Sequence, residues 1–235
     1  MICSVCGVKN SKFDVKCRNC SAFLQSPVRV LNFFEILYLL FSSPKIAFHK
    51  IMISERKNFV VLLVYLSGVY LSIDIFYLLH AGEKFDNLIS LIFIIFAIGS
   101  VIGLIFIFCI SLVLKLFFKF GDEKPNFKSL FALLSYITAP MSISIAFLLP
   151  AKLSVFGIYY FTETPKPYDL KPIPFYIFAL IDLILKLYSL SLLFIAVNYI
   201  AESLPKTVLF MVLTSICMVV LLNLLTEAVK LLLFY

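Results

Sequence analysis

The 235-residue chain is 63% hydrophobic and only 14% charged, and its formal net charge is +7. Soluble domains average about 45–50% apolar and about 25% charged residues, so this composition excludes an ordinary soluble fold and predicts apolar surface that faces lipid. In such a chain, an excess of lysine and arginine indicates orientation in the membrane before it indicates affinity for nucleic acid.

The first 20 residues carry four cysteines in two CxxC pairs, Cys3, Cys6, Cys17 and Cys20. Two such turns complete a tetrahedral four-sulfur site, which suits Zn²⁺. A closed site leaves no open coordination position, so we expect a structural zinc ion and no catalytic metal. Two disulfides, free thiols and iron in a rubredoxin-like site are the alternatives, and a reducing cytoplasm disfavours the disulfides.

Residues 1–26 are therefore predicted to form a cytoplasmic zinc-binding unit, called the cysteine module below. No secretory signal precedes the cysteines, so we expect the N-terminus to be retained in the cytoplasm. The stretch resembles the short zinc-ribbon family, in which a CxxCG turn, a spacer with Phe and a second CxxCG turn precede a small residue and Leu. Phe13 and Leu24 match that pattern, whereas Ser21 stands where the second Gly is usual. The basic residues of the module are too few for a phosphate track, so no nucleic-acid partner is expected.

Residues 27–57 are predicted to form amphipathic helices in the membrane interface. Arg29, Asn32 and Glu35 recur every three residues in an apolar stretch, which indicates a narrow polar stripe. A second helix starting near Pro44 is expected on the cytoplasmic leaflet, where basic side chains contact anionic lipid. Its membrane-surface basic residues are Lys45, His49, Lys50, Arg56 and Lys57. A first transmembrane span over 28–48 is the alternative, but Pro44 and the basic tail argue against it.

Residues 58–235 contain five apolar stretches near or above the roughly 20 residues that cross a bilayer. They lie at 58–80, 87–119, 128–158, 174–201 and 206–235. Pro140 and Pro150 are expected to kink or break the third stretch. The predicted fold class is an all-α integral membrane protein: a five-transmembrane-helix bundle with interfacial amphipathic helices, preceded by a small zinc ribbon.

Lysine and arginine predict the orientation of the bundle. They concentrate in residues 1–57, around the linker between the second and third apolar stretches, which includes Lys124, and in the linker between the fourth and fifth stretches. The other side of the membrane is assigned fewer, and Lys152 is counted there. This bias predicts a cytoplasmic N-terminus and a C-terminus outside.

Three stretches of the chain resemble the YIP family, polytopic membrane proteins named for interaction with Ypt/Rab GTPases in eukaryotes. They are "LYLLFSSPKIAFHKI", "PNFKSLFALLSYITAPMSI", in which Phe127, Tyr136 and Pro140 match, and "LIDLILKLYSLSLLFIAVNYIAESLPKTV". The resemblance implies a five-span domain with a cytoplasmic N-terminus and no catalytic motif. It also implies partner binding: some prokaryotic members resemble accessory subunits of ABC-type export systems. A fused zinc ribbon is a prokaryotic-type arrangement, which predicts the cytoplasmic (inner) membrane.

Ionisable residues within the predicted spans are costly and are functional candidates by default. The predicted intramembrane polar cluster comprises Asp74, Asp182, Lys186, Glu227 and Lys230. One hypothesis is a polar groove for a lipid head group, or a contact surface for a partner's membrane helix. The alternative is self-neutralising ion pairs within single helices, because Asp182 and Lys186 are four residues apart and Glu227 and Lys230 are three apart.

No His/Glu metal cluster, Gly-rich phosphate loop or Ser-His-Asp arrangement is indicated by spacing, so we expect no enzyme. The predicted function is a non-catalytic membrane subunit that docks on a larger complex, an ABC-type or lipid/amphiphile transport assembly. The cysteine module would be its cytoplasmic contact, and the expected partners are membrane lipids and other membrane-protein subunits. The alternatives are a bundle that itself moves lipid or small molecules by its intramembrane charges, and a membrane-trafficking or membrane-shaping adaptor.

Overall fold

A computed structural model describes residues 1–119 and 125–234 of the chain. Residues 120–124, which include Lys124 of the orientation prediction, and Tyr235 lie outside the described part. The α-helices of that part are α1 (Phe33–Ser42), α2 (Pro44–Ile53), α3 (Val60–Leu78), α4 (Leu88–Lys119), α5 (Phe127–Ile137), α6 (Ala139–Ile143), α7 (Leu149–Phe156), α8 (Pro167–Leu170), α9 (Pro172–Ala201) and α10 (Leu204–Phe234). The described residues form no strand, which confirms the all-α fold class.

Among the described residues, five helical segments are long and apolar enough to cross a membrane, as the sequence predicts. Four of them are α3, α4, α9 and α10. The remaining one, Ala139–Phe161, joins α6, a π-helical turn at Ser144–Leu148, α7 and a 3₁₀ turn at Gly157–Phe161. The predicted bounds of 128–158 were wrong at the start, because α5 ends at Ile137 and a new helix begins with Pro140 in its first turn. A proline inside a continuous helix would remove a hydrogen bond and collide with the preceding turn.

The helices α1 and α2 pack on one end of the bundle. Asn32 accepts hydrogen bonds from the N–H groups of Phe34 and Glu35, so α1 begins only at Phe33. Arg29 therefore lies before the helix, and the predicted helical stripe through it was wrong. The side chains of α2 bury deeply: Phe48 and Ile51 are 0% exposed and join a core with α5 and the end of α9.

Three glycines let α3 and α4 cross with their backbones in contact. A Cβ atom on Gly68 would lie 1.9 Å from the carbonyl oxygen of Gly99, and one on Gly103 would lie 2.2 Å from the oxygen of Val64. Gly99 and Gly103 form a GxxxG pair, the spacing that favours close helix packing in membranes. No larger residue fits at this crossing without moving a backbone.

The bundle has two apolar cores, one at each end. We call the end of the bundle that carries the cysteine module the knuckle end. Its core contains α1, α2, α5 and the adjacent ends of α4, α9 and α10. The charged end contains the last half of α3, the start of α4, the segment Ala139–Phe161 and part of α10. Since the chain enters α3 at the knuckle end, Asp74 near the end of α3 belongs to the charged end.

Candidate metal centre and intramembrane charge cluster

The cysteine module consists of two turns that repeat each other with the same hydrogen bonds. The N–H of Cys3 donates to the carbonyl of Val8 at 3.0 Å, and the N–H of Cys17 donates to that of Ala22 at 2.9 Å. The residue after each CxxC pair has a left-handed backbone, with φ of 72° at Gly7 and 60° at Ser21. Ser21 thus adopts the conformation that the missing glycine would have taken.

The four cysteine sulfurs form one cluster. All four Sγ atoms lie within 4.8 Å of one another, and the Cys3–Cys20 and Cys6–Cys17 separations are 3.6 and 3.5 Å. A disulfide requires about 2.05 Å, so these thiols are not cross-linked. Tetrahedral ligands at about 2.3 Å from a metal stand about 3.8 Å apart, close to what is observed. The four cysteines are therefore compatible with a metal site.

Hydrogen bonds prepare one of these sulfurs to act as a thiolate. The backbone N–H groups of Cys20 and Asn19, with a smaller contribution from the Asn10 side chain, lower the pKa of Cys17 to about 6. The Asn10 amide donates to the Cys17 sulfur at 3.5 Å and also to the Val8 carbonyl at 2.8 Å. Because metal ligation requires a deprotonated thiol, this pattern favours cation binding.

The cysteine module is held on the knuckle end by side chains from its spacer and tail. The Phe13 ring packs against His49 of α2 and against Tyr199 of α9, with ring centroids 6.2 and 6.1 Å apart. Lys12 forms an ion pair of 2.5 Å with Glu202, just past α9. The Lys12 ammonium lowers the pKa of Glu202 accordingly.

His49 connects three parts of the knuckle end. Its ring nitrogens lie 2.9 Å from the side-chain oxygen of Gln25 and 3.1 Å from the Tyr199 hydroxyl. Burial, and secondarily the charge of Lys12, lowers the pKa of His49. The neutral imidazole is therefore favoured in the folded protein.

Other predicted basic residues of α2 and its tail are also engaged within the protein. Lys50 pairs with Glu35 of α1. Lys57 donates to the carbonyl of Ile51 at 2.5 Å, and burial lowers its pKa to about 8. Lys45 and Arg56 are exposed, so these two remain available for contact with lipid.

The most buried charges in the described spans form an ion pair between two helices. Lys152 of α7 contacts Asp182 of α9, and both side chains are buried. Lys152 also donates to the Tyr160 hydroxyl at 3.1 Å, and Ser144 of the π-helical turn donates to the other oxygen of Asp182 at 2.6 Å. Each ion therefore has a hydrogen-bonding neighbour besides its ionic partner, as buried charges require.

A second pair joins α9 to α3. Lys186 lies 2.8 Å from Asp74, and their side chains are 42% and 34% exposed. The Lys186 ammonium also lies 5.4 Å from the centre of the Tyr70 ring. The alternative in which Asp182 and Lys186 pair along α9 was wrong, because each reaches a different helix.

The remaining predicted members stand apart from this cluster. Glu227 and Lys230 of α10 form a loose pair of 3.9 Å with each other, and both are at least half exposed. Lys152, in contrast, was missed as a member, because it was counted among the lysines on the outer side of the membrane although it lies within the predicted stretch 128–158. A lysine within the apolar run "LLPAKLSVF" was the available signal.

The two cross-helix pairs line one cavity of about 440 Å³ at the charged end. Its walls include Tyr77 of α3, Tyr160 of the 3₁₀ turn and Phe178 of α9. The site thus combines four balanced charges with aromatic walls. It contains no nucleophile paired with a base and no metal-type ligand cluster among the described residues that line it.

Comparison with known proteins identifies the family. The Yip1 domain family model matches residues 38–226, which is most of the chain and contains parts of all five spans. No curated protein and no solved structure matches the chain. The family is one of membrane proteins not known for catalysis. Together with the five apolar helices, the match shows that this chain is an integral membrane protein that belongs to the Yip1 domain family.

Proposed function

We propose that the protein is a non-catalytic membrane subunit that docks on a larger membrane complex, an ABC-type or other transport assembly for lipid or amphiphilic cargo. One observation carries this proposal. The cysteine module is fixed to the bundle by Phe13 and Lys12, yet its apolar side chains Ile2, Val5 and Phe23 are 72%, 71% and 66% exposed. Rigidly presented apolar side chains on a small polar unit are typical of a protein-binding surface.

Zinc supports this role by holding the module in shape. Four thiolates without an open position suit structural Zn²⁺, and a unit of this size has almost no core of its own. The basic residues of the module and of α2 favour a cytoplasmic position for this end, in a prokaryotic inner membrane, with the C-terminus outside. Lys45 and Arg56 would contact anionic lipid there.

Purification of the full chain from its native membranes tests the proposal. We expect a stoichiometric membrane-protein partner, and we expect the triple variant Ile2→Ser/Val5→Ser/Phe23→Ser to lose it while keeping its zinc. Lys45→Ser, an exposed change on α2, is the matched control and should retain the partner. Wild-type protein that purifies without any partner, or a triple variant that keeps its partner, would contradict the proposal.

A second candidate function is favoured by the two cross-helix charge pairs around the cavity. Charges at membrane depth line substrate paths in many transporters, so the bundle itself would move a lipid or small amphiphile. The measurement is flux of labelled lipid across vesicles that contain the purified chain alone. Flux that Lys152→Met abolishes would support this candidate over the subunit, and no flux above empty vesicles would exclude it.

A further inference from the structure

The cavity at the charged end is a groove between α3 and α9 whose two ion pairs differ in exposure. The Lys152–Asp182 pair is buried and fully surrounded by protein partners, including Ser144 and Tyr160. The Lys186–Asp74 pair is open on one side, with about a third or more of each side chain exposed. The closed pair forms part of the wall, and the open pair remains accessible to a ligand.

The open pair has unused hydrogen-bonding capacity. A lysine ammonium carries three N–H donors, and a carboxylate accepts on both oxygens. Among the described residues, Lys186 has one ionic partner, and the contact uses only the Oδ2 atom of Asp74. Polar groups exposed to hydrocarbon without partners are costly, so a polar ligand that enters from the lipid would be stabilised here.

The charge balance of the groove selects the kind of ligand. Asp74 and Asp182 offset Lys152 and Lys186, so the lining carries no net charge. A ligand with net negative charge would leave one charge uncompensated in a low-dielectric site. A ligand with one phosphate and one ammonium group would instead place the phosphate on the free donors of Lys186 and the ammonium on the free oxygen of Asp74.

The surroundings of the open pair suit a membrane lipid. Asp74 lies four residues before the end of α3, about 6 Å along the helix axis, and Lys186 reaches it from the middle of α9. The exposed side chains of Leu78 and Leu183 line the same cavity and offer an apolar surface to acyl chains.

We propose that this groove binds the head group of a zwitterionic phospholipid with a primary amine, with its phosphate on Lys186 and its ammonium on Asp74. The site would exist whether or not the chain docks on a transport complex, because all its residues belong to this chain.

Lipid retention by the full, zinc-loaded chain tests the proposal. The protein is equilibrated in mixed micelles that contain equal amounts of phosphatidylethanolamine and phosphatidylglycerol, and the retained lipids are counted by native mass spectrometry. We expect phosphatidylethanolamine to be enriched about tenfold or more, because its ammonium donates a charge-assisted hydrogen bond to Asp74 that phosphatidylglycerol cannot donate. Phosphatidylcholine has the same net charge but no N–H donor, and it should be retained more weakly than phosphatidylethanolamine.

Matched variants locate the site. Lys186→Leu should abolish the enrichment, whereas Lys230→Leu, which removes a similarly exposed lysine from the pair on α10, should leave it unchanged. Equal retention of phosphatidylglycerol, equal retention of phosphatidylcholine, or enrichment that survives in Lys186→Leu would each overturn the proposal. The lipid preference of the wild-type protein needs no variant, so the test holds even if Lys186→Leu fails to fold.

Discussion

The two ends of the bundle handle polar residues in opposite ways. At the knuckle end, the ion pairs Lys12–Glu202 and Lys50–Glu35 lie at the edge of a core whose buried polar side chains include serines such as Ser111 and Ser135. At the charged end, Lys152 and Asp182 pair inside the protein, between helices. Polar groups beside water can pair wherever they meet, because water completes their hydrogen bonds. Charges buried at membrane depth have no water to pair with, so their partners come from neighbouring helices or from a bound ligand.

Removal of the metal is expected to have the largest effect, and only at the knuckle end. With zinc as the proposed metal, the double variant Cys6→Ser/Cys17→Ser should bind none and unfold the cysteine module, since structural zinc contributes about 10–16 kcal/mol of apparent binding free energy in small domains. Zinc per chain, measured by elemental mass spectrometry, and helix content by circular dichroism check this. The control Cys109→Ser/Cys217→Ser should bind zinc normally. If Cys6→Ser/Cys17→Ser also removed the five spans from the membrane, the expectation that metal loss affects only the knuckle end would be wrong.

The next largest effect is expected at the charged end. Lys152→Met leaves the buried Asp182 without a counter-ion, which typically costs about 3–5 kcal/mol. Unfolding in mixed micelles with increasing SDS measures the loss. Lys186→Met should cost clearly less, because its pair with Asp74 is partly exposed and reached by solvent or head groups.

The double variant Lys152→Met/Asp182→Leu separates lost attraction from stranded charge. It should regain most of the stability lost in Lys152→Met, since an apolar pair of similar volume can replace a buried ion pair. A double variant no more stable than Lys152→Met would show that the pair itself, and not the unpaired Asp182, matters.

A smaller effect is expected where the module meets the bundle. Phe13→Ala removes a half-buried ring from His49 and Tyr199 and should weaken docking by about 2 kcal/mol. Hydrogen exchange should accelerate in residues 1–26 while zinc content and the charged end stay unchanged. Phe23→Ala, which removes an exposed ring from the same module, should leave exchange in residues 1–26 as it was. Equal acceleration in both variants would argue against the observed docking contact.

The smallest effect is a pH dependence of that docking. Burial lowers the pKa of His49 below its ordinary value of 6.5, so the unfolded or undocked state binds the proton first as the pH falls. The neutral His49 ring therefore contributes to the docking free energy fully above about pH 6.5. This contribution is lost as the pH drops through the lowered pKa, and it amounts to less than about 1 kcal/mol for a half-buried group. Hydrogen exchange of residues 1–26 is compared at pH 7 and pH 5 in samples with equal zinc content. His49→Gln should remove the difference between the two pH values. A dependence that is unchanged in His49→Gln would assign it to other groups.

Those parts of the molecule that depend on local spacing or length could be predicted from the sequence. The spacing of Cys3, Cys6, Cys17 and Cys20 predicts their cluster, and apolar length predicts five spans. The partners of Asp182 and Lys186 could not be predicted in this way, because sequence spacing identifies neighbours along one helix and says nothing of the helix across. The role of α2 was underestimated for the same reason: its basic residues suggested a surface helix, while Phe48 and Ile51 are core residues. The GxxxG spacing of Gly99 and Gly103 could have predicted the close crossing of α3 and α4.

The helix α9 connects the two ends as one rod. Its 30 residues span about 45 Å, and beyond Pro174 it contains neither proline nor glycine, the usual sites of sharp bending. Near one end it carries Tyr199, on which Phe13 of the module packs, and about 20 Å away it carries Lys186, beside the groove. The contact surface of the module and one wall of the groove therefore belong to the same continuous helix. A displacement of α9 at Tyr199 would be transmitted along its axis to that wall.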